Sequence, residues 1–166
     1  IAFASCNEGL FFFGAFAYVY FLRSKGLLNG LATGTNWVFR DESLHITFAY
    51  EIVNVVRREY PNLFNEELEA SVIEMVKEAV NCEFTFAQDL LSGGIAGLPP
   101  NDMRRYLEYI ADQRLRFLNI EPIYNSRNPF HFMELQDIQE LTNFFERNVS
   151  AYQIGVKGEV KFSEDF

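Results

Sequence analysis

The chain is short of positive charge, of cysteine, of histidine and of any long apolar run, and each shortage closes off a class of function. Fourteen Lys and Arg stand against 23 Asp and Glu, for a net charge of −9. An acidic surface of that kind repels a phosphate backbone, so nucleic acid is not expected as a partner. Two cysteines, Cys6 and Cys82, are too few for a disulfide framework, and each falls in an apolar helical pattern. Both are expected to be buried, reduced thiols, which suits a cytoplasmic protein. Residues 10–22 are almost wholly apolar, but the run ends at Arg23 and is too short to cross a bilayer. No signal peptide is visible, and no membrane partner is expected. Sustained strand-like alternation and internal repeats are absent as well.

What the chain does have is apolar and aromatic mass. Of its 166 residues, 49% are hydrophobic, 16% are aromatic and eighteen are Phe. That is more than one small domain needs to fill its core. Surplus apolar surface of this kind meets a partner, either another chain or a missing part of the same fold. The chain opens at Ile1 rather than Met, inside a pattern that already reads as helix, and so is expected to be a piece of a longer protein.

Hydrophobic periodicity predicts an all-α fold. The first helix is expected over residues 1–25, with Gly26 and the Asn29-Gly30 pair punctuating its end and Arg23 and Lys25 in its last turn. The second fills most of 33–60 and stops before Pro61. The third opens at Asn65, a plausible N-cap, with Glu66 and Glu67 in its first turn. Its apolar stripe reads Leu68, Val72, Met75, Ala79, Cys82, Phe86 and Leu90, and Gly93-Gly94 ends it. A fourth helix covers 102–118. An irregular stretch with Pro122 and Pro129 follows, then a short helix at 135–148. From Val149 the pattern dissolves, interrupted by Gly155 and Gly158, and the end, Phe162-Ser-Glu-Asp-Phe166, is acidic with two aromatics. The expected division is a helical domain over 1–148 and a flexible tail over 149–166.

The sharpest chemical signal is Glu42-Ser-Leu-His45. Residues three apart on a helix share a face, so a carboxylate and an imidazole project toward one point. Such a pair suits a metal that accepts oxygen and nitrogen ligands. On spacing alone, a Glu and a His three apart usually make an exposed surface pair. The surroundings change that. Val38, Glu42, His45 and Ala49 form one stripe, and Ile46, Phe48, Ile52, Val53 and Val56 make this helix apolar around most of its girth. Ionisable groups inside such a helix are costly without a metal or a counter-charge. Glu8 poses the same problem as the one acid in the first 25 residues, set before Leu10-Phe-Phe-Phe-Gly-Ala-Phe.

One Glu from each of two helices and a Glu-x-x-His from each of two others is the ligand plan of ferritin-like carboxylate bundles. Glu8 with Glu42-x-x-His45 is half of that plan. The run Arg40-Asp41-Glu42-Ser43-Leu44-His45 resembles the second ligand set of the small subunit of class I ribonucleotide reductase. The likeness continues through Glu8-Gly-Leu-Phe-Phe, Lys25-Gly-Leu-Leu-Asn-Gly30, Tyr109-Ile-Ala-Asp-Gln-Arg-Leu115, Asn128-Pro-Phe-His-Phe-Met-Glu134 and Thr142-Asn-Phe-Phe-Glu146. These motifs run in order through the whole chain and correspond to about the C-terminal half of a family member.

The resemblance implies a ferritin-like helical bundle in which Glu8, Glu42 and His45 ligate a dinuclear metal centre. Iron–iron is the first expectation, with manganese–iron and dimanganese as alternatives. It implies that Asp41 hydrogen-bonds a ligand His and links the metals to an electron path; a surface pairing of Asp41 with Arg40 or Arg57 is the plain alternative. Phe12, Phe16 and Val38 match the apolar wall around the family's radical, although ordinary bundle core would look the same. Tyr152 resembles the tail Tyr that relays the radical, Glu146 an acid that serves that transfer, and Phe162 and Phe166 the anchors that dock into the large catalytic subunit. His131 is given no metal role. The implied partners are the N-terminal half of the same subunit, a second small subunit in a homodimer, and the large subunit. The implied activity is oxygen-dependent radical generation for deoxyribonucleotide synthesis. Two other readings stay open. A different ferritin-like dimetal oxidase is disfavoured by the docking-type tail. A metal-free structural partner chain is disfavoured by the intact Glu8, Glu42, His45 and Asp41.

Overall fold

The structure, a computed structural model, describes residues 1–133. The helix expected at 135–148, the tail at 149–166, and with them Glu146, Tyr152, Phe162 and Phe166, lie outside the described residues. Within residues 1–133 the regular structure is helical and no strand forms. A π-helical segment, Phe3–Glu8, comes first, followed by α1 (Phe13–Ser24), α2 (Asn29–Glu59), a short 3-10 turn at Pro61–Leu63, α3 (Glu66–Leu90) and α4 (Pro100–Phe117). The most extensive packing joins α3 to α4, and α1 and the π segment both lie on α2. No helix among the described residues is long and apolar enough to cross a membrane.

The first helix is not continuous as expected. The π segment ends at Glu8, and turns separate it from α1. The Cys6 carbonyl accepts from both Leu10 N–H (3.2 Å) and Phe11 N–H (3.0 Å), the wider ring of a π turn. Gly9 sits at this exit because a Cβ there would strike the carbonyls of Ala4 and Ser5. The Asn29-Gly30 pair also behaves differently from the expectation. It opens α2 rather than ending the first helix, because the turn is made by Gly26 (φ +75°) and by Leu28 (φ +48°) in the left-handed region. The stop before Pro61 holds. So does the Asn65 cap, whose side-chain oxygen accepts from Leu68 N–H at 2.9 Å.

The apolar stripe of α3 follows the expected line only at its start. Val72 and Ala79 are buried, but the stripe then runs through Val76, Val80, Glu83 and Ala87. Phe86 and Leu90 are exposed, and Cys82 is an exposed free thiol, not the buried one expected. α3 carries apolar residues on two faces, and the one through Val76, Val80 and Ala87 is the one that meets the core. Cys6 is buried as expected, and burial pushes its thiol above the ordinary range.

The core gathers aromatics from α1 and α2. Phe13, Phe16, Tyr20 and Phe39 meet edge-on or tilted, with ring centroids 5.0–5.9 Å apart where they touch Phe39. After α4, the irregular stretch is organised by Asp112. Its Oδ1 accepts from Ile123 N–H and Tyr124 N–H, and its Oδ2 from Ser126 N–H, each at 3.1 Å. One buried carboxylate thus satisfies three backbone donors that no helix or strand provides for.

Candidate metal centre

Three side chains named from the sequence come together. Glu8 closes the π segment, while Glu42 and His45 stand three apart on α2, and one ligand atom from each lies within 4.8 Å of the others. His45 Nδ1 is 3.4 Å from Glu42 Oε2 and 3.8 Å from Glu8 Oε1. The carboxylate side chains are only 15% and 17% exposed, whereas the imidazole is 58% exposed. Glu42 Oε2 is buried and meets no hydrogen-bond geometry with any described group. Its contact with His45 is of ion-pair length only.

Two carboxylates held together in a half-buried place repel each other unless a positive charge sits between them. Among the described residues the only ion-pair partner of either one is His45 itself. A cation resolves this arrangement. Carboxylate oxygens and an imidazole nitrogen form a donor set for iron or manganese rather than for thiolate-seeking metals, so the residues fit the implied group. His45 presents Nδ1 to the carboxylates, which leaves its far edge open.

The segment that carries Glu8 is tied down from two sides. Ser5 Oγ and Tyr50 Oη are 3.1 Å apart in a buried hydrogen bond, joining the π segment to α2. Burial pushes the Tyr50 hydroxyl above its ordinary range, and the charge of Arg114 opposes that rise. Arg114 Nε donates to the Gly9 carbonyl at 2.8 Å, joining the residue after Glu8 to α4.

The expected apolar wall is placed unevenly. Phe16 is buried against Phe39 (5.0 Å between centroids) and stacks on Phe12 at 6.3 Å. Phe12 and Val38 are 44% and 48% exposed, so the outer layer of the wall is uncovered in this chain. Asp41 is an exposed acid 3.6 Å from Arg40, the plain alternative drawn from sequence. Three residues that tie down the segment carrying Glu8 were not singled out from sequence: Ser5, Tyr50 and Arg114. Nor was the buried Glu83, although it falls seven after Val76 and four after Ala79 on the core face of α3.

A sequence profile described as "Ribonucleotide reductase, small chain" matches residues 1–129. A ribonucleoside-diphosphate reductase subunit beta of Chlamydia pneumoniae is 34% identical over 147 residues, covering 88% of this chain and 42% of that protein. The small chain from Nicotiana tabacum is 36% identical over 176 residues, covering all of this chain and 51% of the relative. The chain therefore spans about half the length of the curated relatives it matches. In fold, it is similar to a ribonucleotide reductase R2 subunit from Clostridium botulinum, with TM-score 0.72 and 28% identity over 80% of this chain and 42% of the other. A crystal structure assigned to class I ribonucleotide reductase from Bacillus halodurans gives TM-score 0.75 at 28% identity, over 79% and 42%. Both neighbours carry the ferritin-like helical fold expected from the sequence. On the profile match, the relatives and the shared fold, this chain belongs to the ribonucleotide reductase small-chain family.

Proposed function

We propose that this chain supplies half the ligands of a dinuclear metal centre in a class I ribonucleotide reductase small subunit, acting in the cytoplasm. The observation that carries the reading is the convergence of Glu8, Glu42 and His45 to within 4.8 Å, with a buried Glu42 carboxylate oxygen that makes no hydrogen bond. The centre, when bound, supplies oxygen activation and one-electron oxidation, with iron–iron as the first choice and manganese–iron or dimanganese as alternatives. Glu8 and Glu42 provide anionic oxygens that neutralise the metals, and His45 binds through Nδ1 as neutral imidazole. Phe12, Phe16 and Val38 keep water from the oxidised group. Asp41 and Tyr152, with Glu146, pass the oxidising equivalent toward the large catalytic subunit. The tail docks there through Phe162 and Phe166, and that subunit reduces ribonucleotides.

The uncovered surface supports an incomplete site. Trp37, Val38, Leu44 and Phe48 on α2 and Phe12 before α1 are all exposed, beside the open edge of His45. That apolar face is the natural seat for the N-terminal half of the subunit, which would bring the remaining ligands, and for the homodimer beyond it. The test is substitution in the assembled subunit. Glu42→Ala is expected to reduce bound iron at least by half, measured by elemental analysis, with helical content by circular dichroism unchanged. Full iron loading in that variant would remove Glu42 from the site.

A further inference from the structure

The chain breaks its helix immediately after Glu8, and a break beside a ligand has to be held. Phe13 N–H, which would return to the Gly9 carbonyl in a regular α-helix, instead bonds Leu10 O at 2.9 Å. The Gly9 carbonyl is met from another element. Arg114 on α4, only 6% exposed, reaches across with its Nε donating at 2.8 Å. The guanidinium carbon also lies 4.7 Å from the centroid of the Phe13 ring, the first residue of α1. One planar cation therefore touches both sides of the break.

Arg114 has no carboxylate partner among the described residues. A buried guanidinium without an anion is costly, and a carbonyl dipole and an aromatic face are what offset it here. An ordinary core position would hold an apolar side chain at lower cost. The fork geometry of arginine suits a role in which one rigid group engages two points at once.

We propose that Arg114 is a positioning residue for Glu8: by holding the Gly9 carbonyl and the Phe13 ring, it fixes the break from which the ligand projects. The inference rests on the metal-site reading and adds to it a residue on a helix that contributes no ligand. Outer partners of metal ligands commonly change affinity by about 10- to 100-fold when removed.

The test uses the assembled small subunit, Co(II) as the probe metal, and the variants Arg114→Gln and Arg114→Lys. Arg114→Gln is expected to weaken Co(II) binding about tenfold and to alter its visible absorption, with circular dichroism unchanged. Arg114→Lys, which keeps a cation and a donor but not the planar group that meets both points, is expected to recover only part of that loss; a purely volume-filling role would not distinguish the two. Wild-type affinity and spectrum in Arg114→Gln would overturn the proposal. If Arg114→Gln does not fold, Phe13→Leu removes the face under the guanidinium and is read in the same way, with unchanged Co(II) binding again overturning it. If the unsubstituted subunit takes up no Co(II), the metal-site reading fails by itself. Arg114 is then judged by amide hydrogen exchange at residues 9–13, expected to be about tenfold faster in Arg114→Gln, the fold-change of one lost charge-assisted bond. Unchanged exchange there overturns the hold on the break.

Discussion

Glu83 lies on the core face of α3, 5% exposed, with its carboxyl against Gly14 of α1 and its Oε1 lacking a hydrogen-bond partner among the described residues. Burial pushes its pKa up to about 7, and the neighbouring Gly14 amide offsets only part of that rise. Native Glu83 therefore keeps a proton that the unfolded chain releases near the ordinary carboxylate range. Stability should fall as pH rises through that range toward 7, with the penalty complete above it, by up to about 3 kcal/mol. Urea midpoints measured at pH 5.5 and 8 should show the fall, and Glu83→Gln should flatten it and be the more stable form at pH 8. An undiminished slope in Glu83→Gln would mean that other groups carry the dependence. At this scale the cluster of Glu8, Glu42 and His45 was readable from sequence, and the buried Glu83 and Arg114 were not. Glu8, Glu42 and His45 are residue types that bind metals, set where apolar neighbours make a bare charge costly. Glu83 and Arg114 are charges in long helices, where a charge ordinarily faces water.

Helix ends and stripes divide along the same physical line. The Asn65 cap and the stop at Pro61 were legible because each acts through its own backbone or side chain. The π segment was not, because apolar residues on both sides of Gly9 fit a straight helix equally well, and only tertiary contacts choose the wider turn. The drift of the α3 stripe has a similar origin, since α3 carries apolar residues on two faces and spacing alone does not choose between them. The stretch after α4 shows no periodicity at all, yet Asp112 orders it through three backbone amides. Asp112→Asn places an amide N–H against at least one of those donors. It should cost about 2 kcal/mol in unfolding free energy, with faster hydrogen exchange at residues 123, 124 and 126. Loss of stability without a local change in exchange would show that Asp112 acts elsewhere.

The whole molecule joins a closed core to an open face. Its core is continuous across the described helices, while one side of α2 shows Trp37, Leu44 and Phe48 to solvent at 62–68% exposure. Composition foretold this: an apolar content beyond the needs of one small domain is the signature of a surface meant to be covered. The docking proposed for Phe162 and Phe166, which lie outside the described residues, is tested separately. Removing residues 162–166 should abolish binding to the large subunit, measured by surface plasmon resonance, and leave metal loading unchanged. Undiminished affinity would take the docking role away from Phe162 and Phe166.

The central claim is that Glu8, Glu42 and His45 are real ligands of an incomplete site. Elemental analysis of the 166-residue chain alone and of the same chain joined to its N-terminal half tests it most directly. The account predicts little metal on the chain alone and a full dinuclear complement once the halves are joined. A stoichiometric dinuclear centre in the chain alone, or none in the joined form, would contradict it.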